Sequence, residues 1–140
     1  MSTVLWTNLL VNGEVRTDDS DKYSLHKHAD KLDAIGRKLG LGSFHDICDT
    51  TDVRFNTDDL ALPEGMTSTT ELMAVQGAWI DLPWAIALLD GLLSNVQQNN
   101  VRFGLLRNDH DDVVAELSEA LEFAKTGDPS VATFNFSIVT

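Results

Sequence analysis

Both ends of this 140-residue chain read as β-strands, and an isolated strand or hairpin is not stable in water without further neighbours. Residues 3–11 are rich in β-formers and run into Asn12-Gly13, the strongest short hairpin signal, with Glu14–Thr17 as the return strand. At the other end Phe134, Phe136 and Ile138 alternate with Asn135 and Ser137, the period of a half-buried strand over 131–139. The two ends are therefore expected to share one sheet, covered by the helical segments between them. That is an α+β fold: a small sheet of N- and C-terminal strands packed by three to five helices, in a single domain over 1–140.

The helices follow from spacing. Leu25, Ala29, Leu32, Ile35 and Leu39 recur at helical intervals after the cap-forming run Asp18, Asp19, Ser20 and Asp21, predicting a helix over 23–39 that ends at Gly40 or Gly42. Ser43 is placed to cap a short helix through Cys48, and Val53–Asn56 reads as a brief strand. Residues 57–67 are the least regular stretch. Ser68 with Glu71 is a capping-box pattern for a short helix to Gln76. Asp81 and Pro83 open the most apolar helix, 83–98, which is apolar over most of its circumference and so belongs at the centre or against a second subunit. Residues 101–106 read as a short strand. Asn108 or Asp109 caps a last helix, 109–125, stopped by Gly127-Asp128-Pro129.

Charge restricts the partners. The chain holds 22 acidic and 10 basic residues, a net charge of -12, which repels nucleic acid and anionic membranes. Most of the surplus lies after residue 54, where thirteen acids face three bases. Cys48 is the only cysteine, so no internal disulfide forms. The N-terminal apolar run is broken by Thr7 and Asn8 and has no basic leader, and Leu82–Val96 is too short for a bilayer span. These readings predict a cytoplasmic protein, with no direct binding to nucleic acid or membrane.

Motifs for chemistry are missing. His26 and His28 are two apart on one helix and point in different directions, while His26/Asp30 and His45/Asp49 each offer two ligands at most. Asn108-Asp109-His110-Asp111-Asp112 is oxygen-rich but fails the calcium-loop register in either frame. Gly40-Leu41-Gly42-Ser43 lacks the third glycine of a dinucleotide loop and follows a helix. Cys48 near His45 reads as a structural cysteine. No catalytic residue, metal site or cofactor is expected, and binding is favoured over catalysis.

In type, a small acidic α+β chain without a catalytic motif is similar to bacterial immunity and antitoxin proteins, a likeness that carries no residue across. The first functional expectation is an interaction module that docks a basic protein, such as a nuclease toxin, through Asp112, Glu116, Glu119 and Glu122 together with the loop acids Asp58, Asp59 and Glu64. The alternative is a small enzyme or small-molecule binder with a pocket near Trp79 and Trp84, which flank Asp81. A third expectation is a homodimer through the Leu82–Val96 helix.

Overall fold

The computed structural model describes residues 2–58 and 60–140. Asn12 and Gly13 both have positive φ, +53° and +80°, as a tight type I′ hairpin turn requires. They join β1 (Val4–Val11) to β2 (Glu14–Lys22). The hairpin pairs residue for residue from Val11–Glu14 to Thr7–Asp18, then bulges so that Leu5 meets Lys22. β5 (Thr133–Val139) lies antiparallel on the other side of β1 along its whole length. Its outer edge is shared by two short strands, β3 (Cys48–Asp49), which is parallel to it, and β4 (Ile80–Asp81), which is antiparallel. The expected union of the two chain ends in one sheet is what the structure shows, with five strands and, among the described residues, six α-helices.

Register decides what each sheet face does. Leu5, Thr7 and Leu9 stand beside Ile138, Phe136 and Phe134 on one face, while Trp6, Asn8 and Leu10 stand beside Ser137, Asn135 and Thr133 on the other. The first face carries the core. Against it pack α1 (Tyr23–Lys27), α2 (Ala29–Lys38), α5 (Leu82–Gln98) and α6 (His110–Ala124), with Leu25, Leu32, Leu89, Leu92, Leu117 and Leu121 among the buried side chains. Six residues of α5 are buried, so this helix is central and its leucines face the chain's own core.

The second face is polar and is covered as well. α3 (Thr51–Thr57) and α4 (Thr69–Gln76) lie over it, so Asn8, Asn135 and Ser137 are buried. The buried amides are satisfied in a chain: Thr17 Oγ1 donates to Asn8 Oδ1, Asn8 Nδ2 to Asn135 Oδ1, and Asn135 Nδ2 to the carbonyl of Ala78, at 2.6, 2.9 and 2.9 Å. β5 is thus buried on both sides where alternation alone predicted a half-buried strand.

Four local expectations are corrected. Asp18–Asp21 do not cap a helix but continue β2, because the hairpin register carries the return strand on opposite β1. Residues 53–56 are helical within α3, which starts where the Asp49 carboxylate accepts the backbone N–H of Thr51 at 3.0 Å and turns the chain. The helix predicted over 23–39 bends at His28, although i→i−4 bonds run through it. Residues 101–106 form a loop, since Gly104 at φ +105° and the bonds from Arg102 to the carbonyls of Gly104 and Leu105 fold the chain back on itself.

One polar staple fixes α2 to the segment that follows it. The buried Asp33 carboxylate accepts the Arg37 Nε–H at 2.7 Å, the His45 backbone N–H at 3.0 Å and the Ser43 hydroxyl. Burial pushes its carboxyl up, but these bonds outweigh it and hold it well below the usual carboxylate range. The ionised carboxylate therefore stabilises the fold above the unfolded value near ~4, and that contribution is lost as pH falls from there toward the lowered folded value. Asp33→Asn is expected to cost about 2 kcal/mol at pH 7. Urea unfolding at a series of pH values should show the gap from wild type narrowing below about pH 4; a gap independent of pH would mean the carboxylate charge is not what matters.

Candidate functional site

α6 carries four of the acids expected to dock a partner, and the structure gives them different roles. Asp112, Glu116 and Glu119 are spaced along one side of the helix, with Glu122 beside them. Glu116 is half-buried: its two oxygens accept the backbone N–H groups of Ser24 at 3.3 Å and Leu25 at 3.1 Å, so it caps the N-terminus of α1 from another helix. Burial pushes its carboxyl up, against the lowering effect of those N–H groups and of Lys22. Asp112 is exposed and meets Arg107 at 3.2 Å. Glu119 is exposed and lies 3.2 Å from the Lys22 ammonium, and Glu122 is exposed.

Lys22 explains what joins α6 to the sheet edge. Its side chain is fully buried, yet its ammonium touches Asp18 at 3.5 Å, Glu119 at 3.2 Å and the Ser20 hydroxyl at 2.6 Å. A buried lysine needs such partners, since its charge is otherwise costly to desolvate. Asp18 of β2 and Glu119 of α6 are drawn to one cation, and with Glu122 they line an open groove over Phe123. From the neighbouring depression Arg16 places its guanidinium 5.4 Å over the Phe123 ring and donates to Thr126 Oγ1. The sequence does not point to Asp18, because the run Asp18, Asp19, Ser20 and Asp21 has the composition of a helix cap.

The loop acids lie elsewhere. Asp58 follows α3 and Glu64 lies in the exposed connection to α4, on the sheet face opposite α6. Asp59 lies outside the described residues. The structure therefore gathers Asp18, Asp112, Glu119 and Glu122 on the α6 side and leaves Asp58 and Glu64 apart from them.

An apolar tip stands at the N-terminal end of the same helix. Leu105 and Leu106 are 95% and 103% exposed. The loop that presents them is firmly tied: Asn108 Oδ1 accepts the N–H groups of Phe103 and His110, and the Asp109 N–H donates to the Phe103 carbonyl at 2.7 Å. Beneath it, the buried Asp109 carboxylate holds Lys27 at 3.0 Å, His28 at 2.8 Å and Arg107 at 3.2 Å. Hydrogen bonds from His28 and Lys27 keep its carboxyl below the usual range. Asn108, not Asp109, supplies the capping oxygen to α6, and Asp109 anchors the loop instead. A Cβ at Gly104 would collide with the carbonyl of Arg107, so this fold-back needs glycine.

The tryptophans flanking Asp81 part company. Trp79 is half-buried and donates its indole N–H to the Met73 carbonyl at 2.9 Å. Trp84 is 67% exposed and stands between a depression walled by Leu41, Ile47, Ile80 and Leu88 and a second one beside Pro129 and Ser130. His45 pairs with Asp30 at 2.9 Å, not with Asp49. Burial, with Asp33 and Asp49 adding to it, pushes the Cys48 thiol up to about 12, which leaves little thiolate at neutral pH. Among the described residues no three His, Cys, Asp or Glu side chains converge as a metal site, and no helix is long and apolar enough to cross a membrane.

No protein-family model, curated protein or solved structure matches this chain.

Proposed function

We propose that the chain is an acidic protein-interaction module that docks a basic protein along α6, in the manner of an immunity- or antitoxin-type inhibitor. The observation that carries this reading is the groove between β2 and α6, which Asp18, Glu119 and Glu122 line together with Phe123. A partner's basic side chain finds opposite charge there beside an apolar wall. Beyond the other end of α6, a 15-residue helix about 22 Å long, the Leu105–Leu106 tip offers the apolar anchor that acidic contacts lack. The two ends divide the labour of recognition: exposed charge steers encounter, and buried apolar contact slows dissociation.

The test starts from affinity capture out of the native cell at low salt, with the captured proteins identified by mass spectrometry. Association rates of the purified partner are then measured at two ionic strengths. Asp112→Lys with Glu122→Lys is expected to slow association about tenfold at low salt, with the difference shrinking as salt rises. Leu105→Ser with Leu106→Ser should instead speed dissociation. An unchanged association rate for the charge variant at low salt would make α6 a solvated surface and remove the proposal.

A further inference from the structure

The polar sheet face opposite α6 holds a cleft of about 260 Å³ that none of the docking residues uses. Trp6 forms one wall and Met73 of α4 another, and the polar lining comes from Asp19, Asp52, Thr70 and Ser137. The Trp6 ring is held in place, since its indole N–H donates to Asp21 at 2.9 Å. Asp52 is positioned too: its two oxygens accept the Thr69 hydroxyl at 2.6 Å and the Asn56 amide at 3.2 Å. Asp19 sits in the bulge of β2, which swings it to this side of the sheet.

Ser137 points to a ligand. It is 5% exposed and lines the cleft, and among the described residues its hydroxyl has no hydrogen-bond partner. A hydroxyl so placed favours a group that brings its own hydrogen bonds. The sign of that group follows from the lining, which among the described residues includes two carboxylates and no lysine, arginine or histidine. An anion is repelled, and a neutral polyol leaves the Asp19 charge without a counterpart. A cation satisfies the carboxylates and suits an aromatic wall such as Trp6. Oxygen acceptors from Asp19, Asp52, Thr70 and Ser137 suit the three N–H donors of a primary ammonium, which a quaternary nitrogen lacks.

We propose that this cleft binds a small organic cation through a primary ammonium group, held by Asp19, Asp52 and Ser137 against the ring of Trp6. The probe is 1,4-diaminobutane, titrated into the ¹⁵N-labelled chain at physiological salt, with tetramethylammonium and inositol as comparison ligands. The readout is the Trp6 indole N–H resonance, assigned by its loss in Trp6→Phe. Saturable movement of that resonance is expected with the diamine, with weaker binding of tetramethylammonium and none of inositol. Asp19→Asn should weaken diamine binding about tenfold, as expected for a charge-assisted hydrogen bond, and Ser137→Ala should weaken it less. Asp90→Asn, which removes the same charge from an exposed position on α5, against the other sheet face, should leave it unchanged. Equal weakening by Asp19→Asn and Asp90→Asn would reduce the effect to diffuse attraction to an acidic protein and overturn the site. So would tighter binding of inositol than of the diamine, or no saturable shift with any of the three.

Discussion

Leu89→Ala is expected to destabilise the chain by about 3–5 kcal/mol, the upper part of the range for a buried leucine truncated to alanine. Leu89 is fully buried in the middle of α5, within the cluster formed by the helices and the apolar sheet face. Two terms add. The lost isopropyl group forfeits its transfer free energy, and the cavity left behind keeps part of its volume because its walls come from separate elements that cannot all move inward. Urea unfolding followed by far-ultraviolet circular dichroism measures it directly. A loss under about 1 kcal/mol would mean that the sheet and α6 collapse onto the gap, or that α5 is not the centre of the fold.

That centrality also bears on self-association. With Leu82, Leu88, Leu89, Leu92 and Val96 turned inward, a second copy approaching α5 would meet Trp84 rather than a leucine face.

How far the fold was legible in the sequence varies with the range of the interaction that decides each element. α4, α5 and α6 were readable because their caps and apolar spacing are local: Ser68 accepts the Glu71 N–H as the capping box predicts. The pairing of the chain ends was readable because each end needed the other. Composition alone ends β2 at Thr17, because Asp and Ser disfavour strands, yet hairpin geometry overrides that preference: a two-residue turn lets the return strand run as far as its partner. Val53 and Phe55 imitate strand alternation over too few residues for the period to tell helix from strand, and an Asp49 side-chain bond outside that window started the helix.

The candidate sites were less legible, because exposure is a property of packing. An acid on a helix stripe looks the same in sequence whether it faces water or a neighbouring helix end. Nothing local distinguishes Glu116 from Glu119, and only the arrival of α1 makes one a cap and leaves the other exposed. The cleft at Trp6 draws on β1, β2, α3, α4 and β5, so no window of sequence contains it. One signal was available. Trp6 and Asn8, like Asn135 and Ser137, fall on the polar parity of strands already expected to share a sheet, which placed an unusual amount of hydrogen-bonding chemistry on one face. The loop carrying Leu105 and Leu106 was hidden by its own apolar content, which reads as a strand until Gly104 and Arg102 are seen to fold it back.

Charge reversal along α6 should separate structural from recognition acids, and the expected contrast is large. Glu116→Lys is expected to cost about 3 kcal/mol: roughly 1 for the lost cap on α1, the rest for a second ammonium brought near Lys22 with the Ser24 and Leu25 N–H groups left unpaired. Glu122→Lys sits on an exposed position and should change stability by only a few tenths of a kcal/mol. Their effects on binding should run in the other order. Glu122→Lys slows association with a basic partner while the fold stays intact, whereas Glu116→Lys acts on binding only through the fraction of chain still folded. Glu116→Gln resolves the remaining ambiguity: it keeps an acceptor oxygen for α1 and removes a charge that burial disfavours, so its cost should be well below that of the lysine variant. Thermal unfolding of the three variants, with association rates measured below their midpoints, provides both quantities. If Glu116→Lys unfolds like wild type, then the bonds to Ser24 and Leu25 do not hold α1 in place, and Glu116 rejoins the acids available to a partner.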